Sequence, residues 1–427
     1  MTGNANYITL VNLSNQHRKE MSASNSPESR FSIPKGALIP QEDMLEVGKK
    51  QKKLIIGLPL EDQKLECRIS LTPEAVEILV GNGHDVLIES NAGKASNYSN
   101  TEYSEKGAQI VEKKADIYQS DIILKVSPPT FEELELFKGQ QILFSNLHLP
   151  SKSKEFIEKL ISKKVTAIAF EKIKDENNIY PVTRSMSAIA GNTSVLIAAE
   201  YLSNQRGGKG VMLGGISGIT PTEVIILGAG TAAEYAVRAA MGLGASVKVF
   251  DQSVSRLIRL QNNLGIRLHT SVFHPRVLKK SLVSADVLIG AIHLVERGPR
   301  YFVTEDMVKA MKKGSIIIDM SIDQGGCVET SVCKTQVDPV YTKHGVVHYC
   351  VPNIPSRVAR TASIAISNVF LPLLIEMAEA GGLTKKLKED SGLRHGVYIY
   401  NGTLTNEYIG QLFGLPSRDI NLFMAAF

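Results

Sequence analysis

A glycine turn between an apolar strand and a helix of small residues is the feature that most constrains how this chain can fold. The apolar run Val224–Leu227 leads directly into Gly228, Ala229 and Gly230. Together with Ala233, these residues follow the pattern G-x-G-x-x-A of dinucleotide-binding βαβ units. In such units the first glycine makes the tight turn and the second lets a pyrophosphate approach the backbone. The third small residue lets the helix pack closely on the sheet.

A second strand and an acidic residue complete this unit. The stretch Ser246–Phe250 predicts a strand, and Asp251 follows it about 20 residues after the glycine turn. A carboxylate there accepts hydrogen bonds from the adenosine ribose and repels the 2′-phosphate of NADP, so we predict an NAD site. The charge of Arg256 weakens the discrimination against NADP slightly, unless it is only a surface charge. Arg256 is also a predicted cofactor contact. So is Ile292, which lies at the end of a later apolar run.

Apolar runs alternate with helical segments along the whole chain, which predicts parallel sheets covered by helices. In the first half the predicted strands are Leu54–Gly57, Asp85–Glu89, Ile122–Val126, Gln141–Phe144 and Val165–Phe170. In the second half they are Val224–Leu227, Ser246–Phe250, Val287–Ile292, Ile316–Asp319 and Val346–Cys350. We therefore predict an α/β fold with two Rossmann-like parallel-sheet domains, joined by crossing helices after Ser187 and Ala362, and an N-terminal extension.

The predicted domain boundaries follow from these patterns. Residues 1–53 are polar and end in a lysine cluster, which indicates an extension outside the main fold. Such a segment is either a disordered tail or a contact to a partner subunit. Residues 54–186 and 362–427 are expected to form a substrate domain. Residues 187–361 are expected to form the NAD-binding domain with its linker helix.

Composition excludes several classes of function. Lys plus Arg total 48 against 43 Asp plus Glu, a mild excess that does not favour nucleic acid as a partner. The four cysteines form no CxxC pair, so we expect no metal site and a reducing, cytoplasmic environment. The longest apolar stretch, 362–380, is interrupted by polar residues and predicts a buried helix rather than a membrane span.

Candidate catalytic residues follow predicted strands, because sites in α/β folds gather at the carboxyl ends of strands. His148 follows the run Gln141–Phe144, and its imidazole titrates near neutrality, so it can accept a proton as a hydride leaves. Asp323 lies in a glycine turn past Ile316–Asp319, where it can orient water or hold an amine. A packed or surface histidine remains the structural alternative for His148, and Asp319 is expected to be structural.

Arg68 is the candidate for holding a substrate carboxylate. It lies just before Thr72 and Pro73, which predict the N-cap and first residue of a helix. A guanidinium binds a carboxylate through two parallel hydrogen bonds. A surface salt bridge would explain the residue equally well.

The order of these motifs resembles that of NAD-dependent alanine dehydrogenases, whose superfamily includes the NAD-binding domain of proton-translocating transhydrogenase. The resemblance extends from about residue 54 to the C-terminus. It is carried by Arg68–Pro73, Leu147–Leu149, Met186-Ser187, Gly228–Ala233, Asp323–Gly326 and Asn353–Pro355.

This resemblance implies oxidative deamination of L-alanine to pyruvate and ammonium, with hydride transfer to NAD. It implies that Arg68 binds the substrate carboxylate, that His148 is the general acid/base, and that Asp323 assists the water and amine steps. It further implies contacts to the cofactor phosphates from Ser187, to the ribose from Asp251, and to the substrate and nicotinamide region from Asn353 and Ile354. Members are typically hexameric and cytoplasmic, so a homo-hexamer is expected.

One departure from the family pattern concerns the carboxylate clamp. The family usually has a second substrate lysine in a Lys-Val-Lys-Glu-Pro stretch, and here Ser127 takes the place of that lysine. Lys125 remains on the same strand face and is either a substrate contact or structural. The exact substrate is therefore open. The alternatives are a related amino-acid dehydrogenase and a non-catalytic NAD-binding or transhydrogenase-type subunit, against which His148 and Asp323 together argue.

Overall fold

The computed structural model describes residues 52–293 and 301–425, and nearly all of the predicted extension 1–53 lies outside the described residues. The strands, in chain order, are β1 Ile55–Leu58, β2 Asp85–Glu89, β3 Gln109–Val111, β4 Ile122–Leu124, β5 Ile142–Ser145, β6 Thr166–Ala169, β7 Glu223–Leu227, β8 Ser246–Asp251, β9 His269–Val272, β10 Val287–Gly290, β11 Ile316–Asp319, β12 Val340–Lys343, β13 Val346–Tyr349, β14 Val397–Tyr400 and β15 Thr403–Leu404.

The helices connect and cover these strands. In chain order they are α1 Pro73–Gly81, α2 Asn100–Glu105, α3 Lys114–Ile117, α4 Phe131–Leu136, α5 Lys154–Ser162, α6 Pro181–Leu202, α7 Thr231–Gly242, α8 Val254–Leu264, α9 Pro275–Ser284, α10 Glu305–Lys309, α11 Ala359–Glu379, α12 Leu383–Glu389, α13 Ser391–His395, α14 Glu407–Phe413 and α15 Ile420–Ala425. Thr72 is the N-cap of α1, as predicted, and its side chain accepts a hydrogen bond from the N–H of Ala75.

The strands form two sheets, and the predicted α/β class with two such sheets is confirmed. The first sheet has the order β15-β14-β6-β5-β4-β1-β2-β3, and the second has the order β12-β13-β11-β10-β7-β8-β9. Every predicted strand is present, and no strand end differs from the prediction by more than two residues. The central strands of both sheets pair in parallel.

Both sheets are mainly parallel, as predicted, and each also contains antiparallel pairs. Strand β12 pairs antiparallel with β13, and β14 pairs antiparallel with both β6 and β15. The turn of each hairpin has two residues with positive φ, His344-Gly345 and Asn401-Gly402. Such turns match the twist of paired antiparallel strands, and Asn-Gly is a strong sequence signal for them. The pair at 401–402 was therefore available as a signal in the sequence.

Helix α6 joins the two halves because its two ends pack into different cores. Val182 in its first turn belongs to the apolar core of the first sheet. Val195 and Ala198, further along the same helix, belong to the core of the second sheet. Helix α11 begins where the second sheet ends, and its residues Ile366 and Phe370 return the chain to the first core. The two long helices begin earlier than predicted, at Pro181 and Ala359.

One helical stretch among the described residues, Ile354–Glu379, is long and apolar enough to cross a membrane. It contains α11 and the 3-10 turn Ile354–Val358. Ile366, Phe370 and Leu374 on this stretch are buried in the core of the first sheet, and Ile354 is buried in that of the second. Ile364 is exposed.

Gly191 brings α6 into close contact with the dinucleotide helix α7. A Cβ added at Gly191 would collide with the carbonyl oxygen of Ala232, whereas one added at Gly242, also helical, would meet no atom within 4 Å. Glycine at position 191 therefore sets the distance between the two helices.

We predict opposite effects for alanine at these two positions. Gly191→Ala should lower the free energy of unfolding by about 1–3 kcal/mol, because the added methyl overpacks a backbone contact. Gly242→Ala should raise it by up to about 1 kcal/mol, because alanine favours the helix. Urea unfolding followed by circular dichroism measures both. Equal effects would contradict close packing at Gly191.

Candidate active site

The glycine turn after β7 has the geometry that a bound pyrophosphate requires. Gly228 has a φ of 106°. A Cβ there would collide with the carbonyl oxygen of Ala291, so only glycine fits. Gly230 is the N-cap of α7, and a Cβ on it would meet no atom within 4 Å. The space in front of the helix N-terminus is therefore open, and free N–H groups with partial positive charge face it.

Asp251 is buried at the end of β8 and organises this turn. Its Oδ2 accepts a hydrogen bond from the N–H of Ala229 at 2.8 Å, and its Oδ1 accepts one from the N–H of Ser253 at 2.8 Å. Arg259 Nη2 donates to the carbonyl oxygen of Ala229 at 3.0 Å from helix α8. Arg259 was not among the residues predicted from the sequence. The predicted contact Arg256 lies one turn earlier on α8, and its side chain is exposed.

Ile292 lies beside the same turn, and the turn that carries Asp323 is hydrogen-bonded to it. Ser321 Oγ donates to the carbonyl oxygen of Ile292 at 2.7 Å, which ties the end of β10 to the turn that follows β11. Asp323 is exposed in that turn. Crowding by protein atoms raises the pKa of its carboxyl, the charge of Asp319 raises it further, and His293 opposes both. Asp319 is fully buried and accepts hydrogen bonds from Cys327 and Ser331, which fits its predicted structural role.

Arg68 forms a buried ion pair. Its Nε and Nη2 donate to the two carboxylate oxygens of Glu66 at 2.7 and 2.6 Å, and its Nη1 contacts Met186 Sδ at 3.2 Å. Asn353 Nδ2 also donates to Glu66, at 2.8 Å. Burial raises the pKa of the Glu66 carboxyl, but Arg68 and Asn353 outweigh it, so the net shift is downward. Glu66 thus holds one edge of the guanidinium, and Nη1, which carries two N–H groups, uses one of them on Met186.

Lys125 is buried at the end of β4 and already has anionic partners. Its Nζ lies 2.7 Å from Glu61 Oε2 and 3.7 Å from Glu133 Oε2. Glu61 also accepts hydrogen bonds from the backbone N–H groups of Val126 and Ser127. Burial raises the pKa of Glu61, and Lys125 opposes that shift. The two partners occupy the ammonium group, so this geometry favours the structural alternative for Lys125.

His148 follows β5 in a left-handed backbone conformation, with φ 41° and ψ 46°. Its side chain is exposed. Nearby protein atoms and the charges of Lys172 and Lys152 lower the pKa of the imidazole, which favours its neutral form. The backbone N–H of His148 donates to Glu171 Oε1 at 3.2 Å.

Glu171 is a residue of this site that the sequence analysis missed. Its Oε2 is buried without a hydrogen-bond partner, and desolvation raises the pKa of the carboxyl to about 7. Its carbonyl oxygen accepts from Thr183 Oγ1 at 2.8 Å, which connects the His148 turn to α6. Glu171 lies two residues past the end of strand β6, so its place at a strand end could have identified it as it identified His148.

The structure brings the predicted residues together in two groups. Arg68, Met186 and Asn353 share one hydrogen-bonded cluster with Glu66. The residues predicted to bind the cofactor in the second sheet lie in or around the turn after β7: Gly228, Ala229, Gly230, Ala233, Asp251 and Ile292. Ser187 adjoins Met186 on α6, and Ile354 adjoins Asn353. Across residues 52–293 and 301–425, no hydrogen bond joins His148 to Asp323, and no group of three or more His, Cys, Asp or Glu could hold a metal ion.

Sequence comparisons match both halves of the chain to one family. The N-terminal domain of the alanine dehydrogenase/PNT family matches residues 57–190, and its C-terminal domain matches residues 194–407. Alanine dehydrogenase of Staphylococcus saprophyticus is 39% identical over 368 residues, which are 86% of this chain and 99% of that protein. Alanine dehydrogenase 2 of Staphylococcus aureus is 38% identical over 366 residues, 86% of this chain and 98% of that protein.

Solved structures with the same fold include an L-alanine dehydrogenase, with a TM-score of 0.79 and 37% identity over 84% of this chain and 99% of that chain. A transhydrogenase from Sinorhizobium meliloti has a TM-score of 0.70 at 22% identity, over 83% of this chain and 99% of that chain, a likeness of fold alone. The family predicted from the motifs is confirmed: the chain belongs to the alanine dehydrogenase/PNT family.

Proposed function

We propose that this protein is an NAD-dependent alanine dehydrogenase, which converts L-alanine, NAD⁺ and water to pyruvate, ammonium, NADH and a proton. The proposal rests on one observation: the structure connects a dinucleotide turn to a buried arginine–glutamate cluster. An open dinucleotide turn at Gly228–Gly230 lies on one sheet, and the Arg68–Glu66 cluster, tied to it through α6 and the 353–354 turn, lies on the other. The relatives named alanine dehydrogenase support the same reaction.

The cofactor site fits NAD. The turn has room for a pyrophosphate in front of Gly230, and Ser187 is assigned to the phosphates. Asp251 places a buried carboxylate where the adenosine ribose binds in such folds. The remaining walls of the cofactor site are assigned to Ala233, Arg256, Ile292 and Ile354. NAD held by these residues would supply the acceptor for the hydride that leaves C2 of the substrate.

The substrate side is assigned to residues of the first sheet and to Asn353. Arg68 binds the carboxylate of alanine through the edge that Glu66 leaves free. His148, in its neutral form, takes the proton that the amine or the attacking water releases. Asp323 orients that water as it adds to the imine carbon, and the same carbon then loses ammonia. Lys125 remains a predicted substrate contact that its ion pair with Glu61 argues against.

Ser127 favours a second candidate, an amino-acid dehydrogenase with a different substrate, because the family's second lysine is absent there. A homo-oligomeric assembly, with a hexamer expected, and a cytoplasmic location complete the proposal.

We predict NADH formation, seen at 340 nm, when the protein is mixed with NAD⁺ and L-alanine at about pH 9–10. His148→Ala should lower kcat by about 100- to 10,000-fold, because a positioned base contributes that much. His269→Ala, an exposed histidine on β9, is the matched control and should keep its activity. Serine, valine and glutamate in the same assay test the second candidate. No signal with any of the four amino acids would refute a dehydrogenase.

A second prediction concerns the choice of cofactor. Asp251→Asn should raise the KM for NAD⁺ by roughly 10- to 100-fold, because a hydrogen bond to a charged acceptor contributes about 1.5–3 kcal/mol. The ratio of activity with NADP⁺ to activity with NAD⁺ should rise as the negative charge is lost. Asp306→Asn changes an exposed acid on α10 and serves as the control. An unchanged ratio would remove Asp251 from the ribose site.

A third prediction follows from Glu171. Its pKa of about 7 lies above the ordinary value of 4.5, so folding favours the protonated form. The stabilisation from this group is complete below pH 4.5 and is lost as the pH rises through about 7. Glu171→Gln stays neutral and keeps an oxygen for the His148 N–H.

Thermal unfolding at several pH values tests whether the pKa of the Glu171 carboxyl is raised in the folded protein. The Tm of Glu171→Gln relative to wild type should increase from pH 5 to pH 8. Glu132→Gln, an exposed residue of α4, should show a pH-independent difference. A flat difference for Glu171→Gln would show that its carboxyl ionises normally.

A further inference from the structure

The segment that carries Arg68 is buried but has no regular secondary structure. Residues 67–72 belong to neither a strand nor a helix, and Arg68, Ile69, Ser70, Leu71 and Thr72 are all buried. Backbone N–H groups in such a place must find partners other than a helix or sheet ladder. The partners here are side chains from distant parts of the chain.

Three serine hydroxyls on the 354–379 stretch accept these backbone hydrogen bonds. The N–H of Cys67 donates to Ser356 Oγ at 2.8 Å, that of Ile69 to Ser363 Oγ at 2.9 Å, and that of Thr72 to Ser367 Oγ at 3.1 Å. All three serines are buried. Ser363 and Ser367 are four residues apart on α11, so they share one face of the helix.

A fourth serine closes a ring around Arg68. Ser96 Oγ donates to the carbonyl oxygen of Cys67 at 2.6 Å and lies 2.9 Å from Ser363 Oγ. A hydroxyl has one proton, and that of Ser96 is used on Cys67, so Ser363 must be the donor to Ser96. The hydrogen bonds then run from the Ile69 N–H through Ser363 and Ser96 to the Cys67 carbonyl. We call Ser363 and Ser96 the hydroxyl relay. It holds the peptide groups on both sides of Arg68.

The relay acts on the same residue as the ion pair but through different atoms. Glu66, which itself accepts a hydrogen bond from Asn353, holds the guanidinium. Ser96 and Ser363 hold the backbone from which the guanidinium extends. A displaced backbone would move the free edge of Arg68 even with the ion pair intact. Small displacements of a binding group weaken the interaction with its ligand steeply.

We propose that Ser363 and Ser96 are positioning residues that set the place of Arg68 for the substrate carboxylate. This inference rests on the proposed function, in which Arg68 binds that carboxylate. Neither serine is among the residues assigned to the substrate or the cofactor. Their loss is expected to weaken substrate binding while the nucleotide turn, which lies on the other sheet, keeps its geometry.

The test compares steady-state kinetics of Ser363→Ala, Ser96→Ala and the double variant in the full-length protein. Each single change should raise the KM for L-alanine about tenfold, since it leaves buried polar groups unsatisfied. The affinity for NAD⁺ by calorimetry and kcat should each change less than about threefold. The double variant should raise the KM no more than the larger single change, because either serine alone breaks the relay.

Ser194→Ala is the matched control. Ser194 is an equally buried helical serine, and its hydroxyl donates to the carbonyl oxygen of Gly191 in its own helix, α6. A raised KM for L-alanine in this control as large as in Ser363→Ala would show a general loss of structure and overturn the proposal. Additive effects of Ser363→Ala and Ser96→Ala on the logarithm of the KM would overturn the relay as well.

Arg68→Ala separates this inference from the proposed function. If Arg68→Ala raises the KM for L-alanine and Ser363→Ala does not, the positioning role is wrong and the clamp stands. If Arg68→Ala leaves the KM unchanged, the assignment of Arg68 to the carboxylate fails, and the inference fails with it. If Ser363→Ala does not fold, Ser96→Ala measured against Ser194→Ala decides the matter by the same criterion.

Discussion

A guanidinium that is shielded from water must be paired and hydrogen-bonded, and Arg68 places this requirement where the two halves of the chain meet. Arg68 and Glu66 are both almost fully buried, with two short hydrogen bonds between them. The second carboxylate oxygen of Glu66 is satisfied in part by Asn353, nearly 300 residues away in the chain. The pair is therefore complete only when the turn at 353–356 lies against the segment at 66–68. This requirement constrains the position of α11, which continues directly from that turn.

Nine non-glycine residues of the described chain have a positive φ, and two of them are candidate site residues. His148 and Asn353 both adopt the left-handed conformation, each at the start of a 3-10 turn that follows strand-forming sequence. Asparagine tolerates this conformation well, and histidine does so less often. Such strain persists only where surrounding contacts enforce it. At His148 those contacts include Glu171, which accepts the backbone N–H. At Asn353 they include Glu66, which accepts the side-chain amide.

The sequence predicted the dinucleotide turn well because the residues that identify it lie close together in the chain. Gly228, Gly230 and Asp251 lie within one βαβ unit, and the structure connects Asp251 directly to the turn. The short or polar strands were missed. Strand β9 reads His-Thr-Ser-Val and is mostly exposed, so it lacks an apolar pattern. The hairpin of β14 and β15 was missed although Asn401-Gly402 signalled it. The antiparallel edges of both sheets therefore came only from the structure.

The sequence by itself determined the α/β class, the dinucleotide turn and the residues at strand ends from which His148 and Asp323 were chosen. These features depend on local periodicity and on conformations that only certain residues adopt. The tertiary structure alone decided the partners of those residues. Glu66, Glu171 and the hydroxyl relay of Ser363 and Ser96 act across long separations in the chain, and an isolated serine or glutamate carries no pattern that identifies its partner. For Lys125 too, the position in the strand could be predicted from the sequence, but the ion pair with Glu61 could not.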